Sequence, residues 1–149
     1  MTVPALVLAD AVVAAINAAT LSLSVTATRE HVPKFDIQDA SSVQIKVVPA
    51  SDSREMGSAA CDNATIAIDI GVMKRLQETT ENEKAEIDGL MELVEELRGV
   101  VNRQSLVAGV ESRCTETSQD AIYDVKNLDE SRIFLTSLTA TFLYPVAVA

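Results

Sequence analysis

The chain has 149 residues, the length of one domain able to bury roughly two thirds of its unfolded surface. Its 22 Asp and Glu outnumber 12 Lys and Arg, a net charge of −10. That balance argues against ordinary nucleic-acid binding, which rests on cations neutralising phosphates, and against adsorption to anionic membranes.

In chain order, residues 1–20 are rich in Ala and Val but lack a basic n-region. Asp10 and Asn17 interrupt the apolar stretch, so an intracellular helix is expected and not a signal peptide. The helix is predicted over 3–19, with Thr2 as its cap and Pro4 tolerated in the first turn. Leu8, Val12, Ala15, Ile16 and Ala19 form one stripe. Val7, Ala11 and Ala18 flank it and leave little polar circumference. Such a helix is expected to be covered on more than one side, by a sheet and by another subunit, which makes Val7, Ala11 and Ala18 candidate subunit contacts.

Residues 21–28 alternate with period two, placing Leu21, Leu23, Val25 and Ala27 on one face. Residues 43–48 alternate likewise and are predicted to end at Pro49. The stretch 49–63 is polar and made of small residues. It is too long for a tight turn, so a long mobile loop is expected there. Residues 65–72 line up Ile66, Ile68, Ile70 and Val72 on one face. A capping box from Thr80 to Glu83 opens a helix over 81–103, close to 30 Å long at about 1.5 Å per residue. Segment 105–120 is ambiguous, with a short strand expected near 106–110. Residues 121–132 read as a loop in which Tyr123 and Leu128 tuck against the sheet, or as a subunit contact in which Lys126 or Arg132 meets a neighbour's acids. Residues 133–144 are the longest predicted strand. The fold class is therefore α+β: a mostly antiparallel sheet of about four or five strands with two helices packed on one face. The order is α-β-β-β-α-β-β within a single domain over 1–149.

The 81–103 helix carries the most unusual pattern. Residues 78–96 hold Glu78, Glu81, Glu83, Glu86, Asp88, Glu92, Glu95 and Glu96 against one base, Lys84. Glu81, Asp88, Glu92 and Glu95 fall within a narrow arc at 100° per residue. Ile87, Leu90, Val94, Leu97 and Val101 point the opposite way. Like charges at i,i+3 and i,i+4 destabilise a helix by a few tenths of a kcal/mol per pair. The stripe is either a solvated face or a surface that must not hold on to a polyanion.

Signatures of catalysis are missing. The sequence has no GxGxxG, P-loop, GxSxG or HExxH, so no enzyme activity and no cofactor are predicted. His31, beside Glu30 and before Pro33, reads as a surface residue. Cys61 and Cys114 lie far apart in sequence and cannot complete a zinc set with His31 at any usual spacing; free thiols in a reducing compartment are expected. Acids spread along a helical rod do not wrap an ion, and the DxDxDG calcium pattern is absent. No run reaches the ~18 apolar residues of a membrane span.

Several strings carry a family resemblance: Ala-Asp-Ala-Val-Val-Ala-Ala-Ile-Asn-Ala-Ala at 9–19, Val-Pro-Lys-Phe-Asp at 32–36, residues 43–49, Ile-Asp-Ile-Gly-Val at 68–72, the acidic helix, and residues 122–139. Together they resemble small virion proteins from the head–tail module of tailed bacteriophages, and the order of elements is similar to that of tail terminator (tail-completion) proteins. The resemblance implies a virion structural protein in the tail or neck, assembled in the host cytoplasm. It implies a hexameric ring that caps the tail tube, meets the head-completion protein of the neck and encloses a channel for DNA. Under it, Glu81, Asp88, Glu92 and Glu95 face the channel, where like charge lets DNA slide. The first helix and last strand are shared around a closed heterologous ring, and 49–63 orders on docking. The rivals are another neck component, such as a head-closure or connector protein, and a small acidic adaptor or inhibitor of a basic partner.

Overall fold

The computed structural model describes residues 3–32, 35, 42–77, 81–102 and 106–147. The elements run α1 (Pro4–Ala18), β1 (Thr26–Arg29), β2 (Gln44–Met56), β3 (Cys61–Arg75), α2 (Glu83–Val101), β4 (Arg113–Ser118), α3 (Val125–Ser131) and β5 (Ile133–Ala147). Five strands form one sheet in the order β1-β2-β3-β5-β4. The fold is α+β as expected, with two amendments: β1 runs parallel to β2, so the sheet is mixed, and the order is α-β-β-β-α-β-α-β.

The alternating residues of the central strands build the core. Ile66, Ile68 and Ile70 of β3 lie opposite Phe142, Ala140 and Leu138 of β5, all at most 1% exposed. Ile45 and Val47 of β2 extend that face. Leu8, Ala9, Val12 and Ile16 of α1, with Leu90, Leu93, Val94, Leu97, Val100 and Val101 of α2, pack onto it. Helical period and strand period thus meet on one side of the sheet. Side chains of this size stabilise the fold by roughly 1.5–3 kcal/mol each when fully buried.

Four local expectations are corrected. First, residues 21–25 alternate but do not pair. Leu21, Leu23 and Val25 pack against the core, while the Ser22 N–H and hydroxyl donate to Glu96 of α2, so a helix side chain stands where a ladder was expected. Second, the short strand predicted at 106–110 is a turn region, and β4 lies further on at Arg113–Ser118. Third, α3 replaces part of the predicted loop at 121–132. Asp124 caps it, its carboxylate accepting from the Asn127 N–H at 3.1 Å, and Arg132 ends it in the left-handed region at φ 53°. Fourth, α2 starts after Asn82, which makes no side-chain cap; Thr80 and Thr2, the caps the sequence suggested, lie outside the described residues.

The 49–63 stretch is the largest correction. It is a hairpin and not a loop. Beyond a bulge at Pro49/Ser51, β2 and β3 stay paired from Ser51↔Ala67 to Met56↔Asp62. The turn closes with the Ser58 N–H donating to the Cys61 carbonyl at 2.8 Å. A Cβ on Gly57 would sit 2.9 Å from that same carbonyl, so glycine is required there. The physical cause lies in the neighbour: β3 and β5 pair from Cys61↔Ala147 to Arg75↔Ile133. That ladder carries β3 past the core and offers β2 a backbone to bond with. Hydrogen bonding sustains these strands where side-chain burial does not.

The two strand prolines follow the same logic. Val47 accepts the Glu30 N–H, the last outer bond from the β1 side, and Pro49 has the same orientation in the register. Its missing N–H therefore faces the side where outer pairing has stopped. Pro145 likewise lies beyond the last β4 pair, Arg113↔Leu143. Proline ends the outer pairing here and not the strand.

Candidate functional site

The acidic helix is the place to start, because α2 sorts its acids. Glu86, with its side chain 8% exposed, accepts from Lys74 Nζ at 2.7 Å and from the Gln77 N–H at 2.9 Å. Glu83 stands 3.9 Å from Arg132. Glu96 holds the backbone and hydroxyl of Ser22. These three acids fasten α2 to the end of β3, the end of α3 and the segment before β1.

The predicted stripe is what remains. Glu81, Asp88, Glu92 and Glu95 are all exposed. Glu95 makes a weak ion pair with Arg98 one turn on, at 3.4 Å, with its side chain 74% exposed. Arg98 spends its better bonds elsewhere, on the Thr117 hydroxyl and Gln119 at 3.0 Å each. Glu81, Asp88 and Glu92 have no ion pair or side-chain bond among the described residues. Asp88 and Glu92 stand with Glu95 on the solvated face of α2, opposite the buried Leu90, Val94, Leu97 and Val101, whereas Glu81, predicted in the same helical stripe, lies in the turn before the helix starts.

The candidate subunit contacts are spread out. On α1, Val7 and Ala11 are half-buried and Ala18 is exposed. Asp10 on the same helix binds Arg29 at 2.6 Å. Asn17 pairs with both backbone groups of Ala27, accepting at 2.8 Å and donating at 3.1 Å, and so stitches α1 to β1. Lys126 is exposed at the start of α3. Arg132 is occupied within its own subunit: besides facing Glu83, it gives its carbonyl to the Leu76 N–H at 2.8 Å. Tyr123 and Leu128 pack against the core, whereas Ile122 and Val125 stand 57% and 68% exposed.

Sequence reasoning missed the hairpin as a surface. Residues 50–60 are exposed without interruption. Arg54 clasps Asp52 through two bonds of 3.2 and 3.0 Å, and Met56 near the tip is 89% exposed. Past Val47, the outer edge of β2 has no partner strand among the described residues. The signal for this was present in the length of the following strands, not in the stretch itself.

The opposite face of the sheet holds a cavity of about 490 Å³, walled by Phe35, Val48, Gly71 and Leu135 with Asp69, Asp120 and Asp124 among its polar groups. Asp69 is engaged by the Thr139 hydroxyl at 2.7 Å. The ring of Phe35 lies so close to Gly71 that a Cβ would meet it at 2.9 Å. No group of three or more His, Cys, Asp and Glu is arranged to hold a metal ion among the described residues. No helix among them is long and apolar enough to cross a membrane.

Cys61 and Cys114 are free. Burial pushes the Cys114 thiol above its ordinary range, with backbone bonding to Glu116 and Thr141 acting the other way. The thiolate is the reactive form. Alkylation of Cys114 in the folded protein is therefore expected to be slower at pH 8 than in the urea-unfolded chain, as read by mass spectrometry of iodoacetamide adducts. A raised thiol also means that its contribution to stability is intact below the usual thiol range and declines as pH rises through it.

No family model matches, and no curated protein matches. Among solved structures, one chain aligns over 99% of its length with all of this chain, at a TM-score of 0.46 and 11% identity. Another is the sheath/tube terminator of an extracellular contractile injection system, PVC, in its extended state. It aligns with all of this chain at a TM-score of 0.49 and 12% identity, and this chain spans 57% of that protein's length. Likenesses this distant carry no functional argument.

Proposed function

We propose that the chain is a non-enzymatic structural protein of a tailed bacteriophage virion, a ring-forming tail terminator at the head–tail junction. In this reading it caps the tail tube, joins it to the head-completion protein of the neck and leaves a channel for DNA. The observation that carries the proposal is the β2–β3–β5 extension beyond the core. Residues 50–60 are held in a defined hairpin, yet are exposed throughout. A strand edge with no partner strand among the described residues is a ready template for another chain. The exposed carboxylates of Glu81, Asp88 and Glu92 support a surface that repels a polyanion. Val7, Ala11, Ala18 and Lys126 remain candidates for contacts around the ring.

The test has two parts. The purified protein is expected to have the mass of a closed oligomer and to be found in virions by mass spectrometry. Particles made without it are expected to carry tails of uncontrolled length. Full-length tails beside unjoined heads would reassign it to another neck component. A strict monomer missing from virions would overturn the proposal and leave an acidic adaptor of a basic partner, the reading that the carboxylate row otherwise favours. For the row itself, changing Glu81, Asp88, Glu92 and Glu95 together to Lys is expected to leave the subunit folded and to lower infectivity roughly tenfold or more. Unchanged infectivity with normal assembly removes the channel-facing role.

A further inference from the structure

The two edges of the sheet fit each other. In an antiparallel ladder, the residues that turn N–H and C=O away from a neighbouring strand alternate along the chain. Val47 bonds outward to Glu30 and is paired with Ile70. Ile66 and Ala64 share the orientation of Ile70, so their partners Asp52 and Arg54 also turn their backbone groups outward from β2. Carried across β3 and β5, the same alternation turns Cys114 and Thr117 outward from β4, since they pair with Phe142 and Ala140. The Thr117 carbonyl does point away from β5, where it meets Arg98 at 3.4 Å. All four residues lie on the helix-bearing side of the sheet.

We propose that the outer edge of β2, residues 51–56, pairs with the outer edge of β4 of a second copy. This rests on the assembly reading above and names its contact. Two copies side by side in the same orientation bring β4 antiparallel to β2 with their sheet faces continuous. Matching the outward backbone groups leaves registers two residues apart. Setting Arg54 against Cys114 and Asp52 against Thr117, with the bulge residue Thr115 left over, places Glu55 across from Arg113. Sliding one step either way places Glu55 across from Glu111 or Glu116. Charge selects the first register, since like charges directly opposite destabilise a pair and opposite charges support it. The Asp52 N–H then takes over the Thr117 carbonyl from the long Arg98 contact. Each copy presents one edge to each neighbour, so the contact is head-to-tail, the kind that closes rings.

The experiment reverses the charges. Glu55→Arg and Arg113→Glu are expected each to weaken self-association roughly fivefold, measured by sedimentation over a concentration series, and the double reversal to restore it. Both residues are exposed, so circular dichroism should be unchanged. As a second readout, Glu55→Cys with Arg113→Cys, in a Cys61→Ser/Cys114→Ser background, should oxidise to a ladder of disulfide-linked chains. Either single cysteine should give none. An assembly whose mass ignores both reversals and forms no ladder overturns this pairing and leaves the ring standing. A wild-type chain that is monomeric at every concentration overturns both.

Discussion

Replacing Phe134 with Ala is expected to destabilise the fold by about 3–5 kcal/mol, the largest effect of any single change considered. Phe134 is fully buried where β5 begins, across from Lys74 at the end of β3. Its ring also meets Tyr123 at 5.8 Å between centroids, tilted by 44°. Removing it opens a cavity under α2 and takes away the surface on which the segment before α3 rests. With total stabilities of about 5–15 kcal/mol for a domain, this is a loss of roughly a fifth or more. Urea titration gives the value from the shift in midpoint at unchanged slope. A double-mutant cycle with Tyr123→Ala should return a coupling of roughly 0.5–1.5 kcal/mol. A loss below 1 kcal/mol would mean that the strand entrance is not packed as described.

The second expected result concerns Glu86. Glu86→Ala should cost about 2–3 kcal/mol, because it strands two groups at once. The Lys74 ammonium, with its side chain 19% exposed, loses the carboxylate at 2.7 Å, and the Gln77 N–H loses its acceptor at 2.9 Å. Glu86→Gln keeps an oxygen for Gln77 but no charge for Lys74, so an intermediate loss is expected. Combining Glu86→Gln with Lys74→Met should recover part of the difference, since an uncompensated charge is then no longer buried. Thermal unfolding at pH 7 measures all four proteins. If Glu86→Ala fell within 0.5 kcal/mol of wild type, the acid would belong with the solvated row and not with the fastening set.

That division between fastening and solvated acids marks the limit of what the chain reveals by itself. Helical period separated Glu81, Asp88, Glu92 and Glu95 from Ile87, Leu90, Val94, Leu97 and Val101; the structure keeps the acids exposed, with Glu81 in the turn before the helix, and buries the second set except for Ile87, which is half-buried. It had no means of showing that Glu83, Glu86 and Glu96 are engaged, because their partners Arg132, Lys74 and Ser22 come from other parts of the chain. The α3 helix left a local trace in Asp124 with Asn127 three residues on, a cap pattern that a stretch otherwise lacking an apolar period obscured.

The sequence by itself determined the elements that bury a periodic face: α1, α2, β3 and β5, and hence the α+β class. Their apolar spacing has one low-energy solution, which is to stack one side of a sheet against two helices. Only the tertiary structure decided what depends on backbone pairing: the parallel placement of β1, the pairing of residues 51–56 with 62–67 and an outer edge of β2 that has no partner strand among the described residues. Hydrogen bonds between strands read no side-chain pattern. Whether a polar stretch becomes a loop or a strand is settled by the neighbour it lies against, and here that neighbour is fifteen residues of β3 laid along fifteen of β5.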